Sequence, residues 1–365
     1  MKIYTVTFLI NNYGSLLQAF ALQSRLREFG AEPEILVKLP KQSSSRLRSW
    51  FSVLKPVKHY SLLQRIKKRL HVRRYAEKNK KLSQFKNSNI SYTNIEDEHS
   101  FSKNISTEDL FLAGSDQIWS VALGPLSKWH TLQWIDKKGI KKYSYAASLG
   151  LSDLSDEQIN AYKDGLADFQ VISLREKQAV DLLSPIFERK IRQDLDPTLL
   201  YDKTFWRKIE SPRLMDEPYV FVYMLRPDNN VIKLAKRIAQ EKGYKVIYTG
   251  LLADHYHGVE TVCDAGISEF LSYIDHAEAV VVNSFHGTVF SVLFEKPFLS
   301  VKVASTSSRV ESFLEMTGLN SQYVEDVNGA YSLNPDFSAA LKILEKERDK
   351  SLEYLKSIVA LNNEG

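Results

Sequence analysis

Ser284-Phe285-His286-Gly287-Thr288 sets one imidazole among small polar residues. The apolar run Val280-Val281-Val282 stops just before it, and a second apolar run, Val289 to Phe294, follows at once. This pattern predicts a buried strand, a tight loop and the first turn of a helix. Backbone N–H groups at such a helix start are unpaired and partially positive, so they suit phosphate or carboxylate. Histidine titrates near neutral pH and serves as a proton carrier at such positions. The chemistry suggested is binding of, or catalysis on, an anionic small molecule.

Four other polar clusters also follow apolar runs. Asn11-Asn12-Tyr13-Gly14 combines a helix N-cap with a glycine for a tight turn, and Gln18 falls one helical turn further on. Gly114-Ser115-Asp116-Gln117-Ile118-Trp119 offers Asp116 either as a cap or as a general base for a hydroxyl. Trp119 fits a core position or a stacking surface for a sugar ring. Ala147-Ser148-Leu149-Gly150 is the third cluster. Arg226 is the fourth, with a guanidinium suited to bidentate grip on an anion. Lys302 and Arg309 flank the loop Ser305-Thr306-Ser307-Ser308 and are further anion ligands. Arg175 reads first as a helix-start ion pair.

These clusters need an edge on which to meet. Residues 3–10, 34–37, 109–113, 141–146 and 169–173 read as buried strands, with helices over 15–29, 156–166 and 175–183. The second half repeats the rhythm: strands over 219–225, 245–248, 279–282 and 297–301, helices over 231–241, 267–274, 309–316 and 337–361. Two prolines within 211–218 mark the boundary. The expected fold is α/β, two Rossmann-like domains facing a central cleft, with a long C-terminal helix. Residues 1–210 form the first domain, 218–335 the second and 336–365 the helix. Ligands of parallel sheets bind beyond the carboxyl ends of the strands. All five clusters would crowd that edge.

The chain has 365 residues, 44% apolar and 25% charged, which suits two ordinary globular domains. The single cysteine, Cys263, excludes a disulfide framework and a cysteine zinc site. His255 and His257 come without a ligand set of metal-binding spacing, so no metal is expected. There is no Walker loop and no G-x-G-x-x-G. The N-terminal segment lacks signal-peptide features, and no apolar run approaches the roughly 20 residues that span a bilayer, so the expected location is cytoplasmic. The net charge of +5 is mild, but residues 41–81 hold one acid, Glu77, among 14 lysines and arginines. The segment reads first as a basic surface insertion, then as a peripheral contact with an anionic membrane, and only third as a nucleic-acid patch. No nucleic-acid partner is expected.

In this order, Asn12-Tyr13-Gly14 with Leu17-Gln18-Ala19, Gly114 to Trp119, Tyr145-Ala146-Ala147-Ser148, Leu174-Arg175-Glu176, Asp196-Pro197-Thr198-Leu199-Leu200 and Ser284 to Thr288 resemble the polysaccharide pyruvyl transferase family. The resemblance implies a fold like that of GT-B glycosyltransferases. It implies transfer of pyruvate from phosphoenolpyruvate to two sugar hydroxyls, as a cyclic ketal on a cell-surface glycan or its lipid-linked precursor. No cofactor is implied beyond phosphoenolpyruvate as donor substrate. On this reading His286 and Asp116 are catalytic. Arg226, Ser284, His286, Gly287, Thr288, Lys302 and Arg309 hold the donor. Asn12, Tyr13, Gly14, Gln18, Ser115, Gln117, Trp119 and Ser148 face the acceptor. Many members carry Arg-x-His where this chain has Ser284-Phe285-His286, and Arg226, Lys302 and Arg309 are the candidates to supply the missing cation. The alternatives are a glycosyltransferase using a nucleotide sugar and a non-catalytic glycan-binding member.

Overall fold

The computed structural model describes residues 2–39, 62–122, 124–250, 256–303 and 307–360, with side chains from 73 onward in the helix that begins at 62. Its first sheet contains Lys2–Val6 (β1), Glu32–Lys38 (β2), Tyr92–Ile95 (β3), Leu110–Ala113 (β4), Lys141–Ser144 (β5), Phe169–Leu174 (β6) and Ile191–Gln193 (β7). The second contains Tyr219–Met224 (β8), Lys245–Gly250 (β9), Glu260–Thr261 (β10), Ala279–Val282 (β11), Phe298–Val301 (β12) and Tyr323–Val324 (β13). The helices are Tyr13–Glu28 (α1), Leu62–Asn89 (α2), Glu98–Asn104 (α3), Asp156–Gly165 (α4), Lys177–Leu183 (α5), Lys203–Arg207 (α6), Asn229–Lys242 (α7), Ile267–Asp275 (α8), Phe285–Leu293 (α9), Ser307–Thr317 (α10) and Phe337–Ala360 (α11).

The strand orders are β3-β2-β1-β4-β5-β6-β7 and β10-β9-β8-β11-β12-β13. The pairings β1–β4 and β8–β11 are both parallel. Each sheet therefore reverses direction once, between β1 and β4 and between β8 and β11. Those switch points are where a doubly wound sheet opens a crevice. Strands covered by helices on both faces are apolar throughout rather than alternating. β8, Tyr-Val-Phe-Val-Tyr-Met, and β11, Ala-Val-Val-Val, are buried at every position for this reason. Asn12 caps α1 by accepting from the Gly14 amide at 2.9 Å, and Gly243 ends α7 with φ 72°, a conformation open to glycine.

The halves share one core. The Tyr13 ring lies against Phe270 at 4.2 Å between centroids, and Trp206 meets Phe290 edge-on at 5.1 Å. α11 returns to the first half: Tyr354 Oη donates to the Ser144 carbonyl at 2.9 Å, and Arg348 Nε donates to the Leu199 carbonyl at 2.7 Å.

The basic segment is a largely exposed helix where it is described, in keeping with a surface insertion. Residues 40–61 lie outside the described residues. Further on, α2 sets its cations against the second half of the chain. Arg74 pairs with Asp264 at 2.8 Å, Lys81 pairs with Glu269, and Lys78 is 2% exposed. No helix among the described residues is long and apolar enough to cross a membrane.

Candidate active site

His286 lies in the first turn of α9, immediately after β11. Ser284 caps this helix by accepting from the Gly287 amide at 3.1 Å. The ring is 8% exposed and fits between two groups of the first half. On one side is the backbone of Gly14: a Cβ added there would fall 2.0 Å from His286 Nδ1. On the other is Asp196, whose Oδ2 is 3.5 Å from His286 Nε2. Glycine is therefore required at 14 by close approach. Gly14→Ala is expected to displace the imidazole and lower turnover at least 100-fold, while circular dichroism keeps the wild-type spectrum. Full activity in that variant would show that the ring need not sit here.

Asp196 is fully buried. It also accepts from Arg175 Nη1 at 2.7 Å and from the Thr198 hydroxyl at 2.7 Å. Burial alone would raise its carboxyl. His286, Arg175 and Thr198 outweigh that and hold it well below the usual carboxylate range. An ionised acid beside a histidine fixes the ring and can stabilise an imidazolium formed during reaction. Arg175 follows β6 and reaches further. Its Nε donates to Glu176 Oε1 at 3.3 Å, its Nη2 lies 3.9 Å from Asp116 Oδ1, and its guanidinium carbon sits 4.4 Å from the Phe285 ring centroid. The Ser148 hydroxyl donates to the same Glu176 carboxylate.

Arg309, in α10, is the second buried cation. Burial, and then the charge of Arg175, push its guanidinium down to about 10. It makes no ion pair among the described residues. Its Nε, together with Arg175 Nη2 and His286 Nε2, is buried without a hydrogen-bond partner. Buried N–H groups left unpaired are rare and destabilising. Arg175 Nη2 and Arg309 Nε are N–H donors on like-charged groups across one seam, the chemistry that suits an oxyanion, although Glu176 Oε2 is unpartnered there too.

The other predicted residues divide. Asp116, with φ 75°, follows β4 at the switch point and is half-buried, as are Asn12 and Gln117. Trp119 is no sugar platform: it is fully buried, edge-on to Phe169, and its indole N–H donates to the His130 carbonyl. Tyr13 is interdomain core, its hydroxyl donating to the Ala265 carbonyl at 2.7 Å. Ser115 is buried, donating to the Ala146 carbonyl. Gln18 is buried too and donates to Thr7 Oγ1 and the Ser15 carbonyl. Thr288 is used within the core, on the Ser284 carbonyl and Ser300.

On the donor side, Lys302 is a surface residue paired with Glu325 at 2.5 Å. Arg226 follows β8 but is exposed, and among the described residues its carbonyl alone is engaged, by Asn283 Nδ2 at 3.0 Å. Neither joins the cluster. Among the described residues, the expected open electropositive cleft beside Arg226 is not formed. Instead there is a closed cluster in which Asp196, Glu176 and Asp116 face Arg175, Arg309 and His286. Glu176 and Asp196 carry no local signal of a role, although they and Arg175 lie within three residues of a strand's end, where carboxyl-edge residues belong. His130 carries none either. This ring packs against Phe8, is pushed down to about 4 by burial, which Asp116 partly offsets, and has no partner at Nδ1. His257 belongs to no cluster of metal-binding groups among the described residues, and His255 lies outside them.

Two Rossmann-type sheets, with side chains from both meeting at their carboxyl edges, define the GT-B class of α/β proteins. Solved structures agree on the fold. Arabidopsis thaliana UGT89C1 complexed with UDP-L-rhamnose is 11% identical with a TM-score of 0.52, covering 97% of this chain and 98% of its own. The UDP-GlcNAc 2-epimerase of Methanocaldococcus jannaschii is 12% identical with a TM-score of 0.51 and full coverage of both chains. No curated protein sequence matches. The profile of the family described as polysaccharide pyruvyl transferase matches residues 12–305, and the chain belongs to that family of transferases.

Proposed function

We propose that this protein transfers pyruvate from phosphoenolpyruvate to two hydroxyls of a sugar, in a cell-surface glycan or its lipid-linked precursor, forming a cyclic ketal. The observation that carries the reading is the pair Arg175–Arg309, from opposite halves, with unpaired N–H groups beside the His286–Asp196 couple. A donor with a phosphate and a carboxylate needs two such contacts. Arg309 takes the place of the arginine that the Ser284-Phe285-His286 motif lacks. Arg175 Nη2 supplies the second contact.

In the proposed sequence, Asp116 accepts a proton from the first sugar hydroxyl, whose oxygen attacks C2 of the donor. The methylene carbon takes a proton from His286 and becomes the methyl group. The second hydroxyl then displaces phosphate from C2, and its proton leaves with the phosphate. Asp196 holds the ring and stays ionised. Phosphoenolpyruvate is a cytoplasmic metabolite, so the reaction belongs on that side of the membrane.

Thermal shift tests the donor. At ~100-fold excess over Kd, phosphoenolpyruvate should raise the melting temperature by roughly 3 °C or more, and UDP- or GDP-sugars should leave it unchanged. Protection by a nucleotide sugar alone would assign a glycosyltransferase instead. Protection by neither, with no phosphate release, would make the protein a non-catalytic glycan binder.

A further inference from the structure

The space enclosed by Arg175, Asp196, Phe285 and Arg309 is about 10 Å³. That is room for one water, whereas ligand pockets are roughly 300–1,000 Å³. Among the described residues, a space of this size admits a donor once the two halves part along this seam. What holds the seam is therefore part of how the site works.

α2 belongs to the first half, between β2 and β3, yet one of its faces grips the second. Arg74, Lys78 and Lys81 recur at the four- and three-residue spacing that aligns side chains on a helix. Arg74 Nη2 meets Asp264 Oδ1 at 2.8 Å, Lys78 Nζ donates to the Gly250 carbonyl at 2.8 Å, and Lys81 meets Glu269. Gly250 closes β9 at the carboxyl edge of the second sheet. Arg74 and Lys81 form partly exposed pairs, which are weak. Lys78 is different. Its ammonium is buried, has no carboxylate partner among the described residues, and lies 4.3 Å from the Tyr13 ring centroid. A hydrogen bond from a buried charge is stronger than one between neutral groups. Tyr13 in turn stacks on Phe270, and the next residue, Gly14, backs the His286 ring. A continuous path of contacts thus runs from Lys78 through Tyr13 and Gly14 to the imidazole.

Resting on the donor reading above, we propose that the Arg74–Lys78–Lys81 face of α2 is a clasp between the halves, that Lys78 is the positioning residue holding Tyr13 and Gly14 against His286, and that the donor enters when the clasp opens. Charge on the basic segment then serves interdomain closure over its described part.

Hydrogen exchange on the full chain, without substrate, tests this independently of donor identity. In Lys78→Met, amides at 13–18 and 285–290 should exchange at least 10-fold faster, while those of β8 stay within 2-fold of wild type. Lys81→Glu should shift the same amides by a smaller factor, and adding Glu269→Lys should restore them. Unchanged exchange in Lys78→Met would overturn the clasp. A uniform rise that includes β8 would also overturn it, because it would mean general destabilisation. If exchange responds as stated but phosphoenolpyruvate neither binds nor reacts, the clasp stands and the donor reading falls.

Discussion

His286→Ala is expected to lower transfer by about three orders of magnitude, with the wild-type circular dichroism spectrum retained. A positioned acid–base group contributes roughly 10²–10⁴-fold. Here the ring also faces an ionised carboxylate across 3.5 Å, so the variant loses both the proton carrier and the contact with Asp196. The fold should survive. The imidazole is bounded on one side by Gly14, which has no side chain to collapse, and Asp196 keeps Arg175 at 2.7 Å and Thr198 at 2.7 Å. Asp196→Asn is a different case. It leaves Arg175 buried beside a neutral amide, and removing one partner of a buried ion pair costs about 3–5 kcal/mol. It should therefore lose stability and activity together, whereas the histidine variant loses activity alone. Steady-state rates at saturating donor, alongside melting curves, separate the two. Unchanged turnover in His286→Ala would remove the ring from the mechanism.

Arg309→Met is expected to move function and stability in opposite directions. Its guanidinium is buried near another and pushed down to about 10 by that burial and by Arg175, so the charge is unfavourable to the empty protein. Methionine removes that charge and keeps an apolar stem of similar reach, and the melting temperature should stay level or rise. The same change removes the cation assigned to the donor, and kcat/KM for phosphoenolpyruvate should fall by about 100-fold or more, mostly through KM. Lys302→Ala, by contrast, should stay within 2-fold, because its ammonium is held by Glu325 on the surface. If Arg309→Met melts at a lower temperature with donor KM unchanged, the arginine is structural.

Much of the fold could be read in the sequence because parallel strands buried on both faces are continuous apolar runs. β8 and β11 are visible in the residue types alone, as are Asn12 and Ser284 as caps. Short edge strands were not visible. Thr261 and Val324 end two-residue strands whose pairing is tertiary. The site was legible in part. His286, Asp116, Gly14 and Arg309 emerge from motif position. Trp119 and Tyr13 were read as ligand contacts because an aromatic beside polar residues looks alike in a pocket and in a core. Arg226 and Lys302 stand apart from the cluster for a related reason. Sequence places a cation at a strand edge, but only packing decides whether its head lies in water, as theirs do, or in the seam, as Arg309 does. Arg175 and Asp196 were underweighted because an ion pair across 21 positions has no local signature.

Isothermal titration of phosphoenolpyruvate into the full chain tests the central claim most directly. Saturable binding at one site per chain, weakened at least 10-fold in both Arg175→Lys and Arg309→Met, is the predicted result. No binding to the wild type, or equal binding by the wild type and both variants, would contradict a donor held between the two buried guanidiniums.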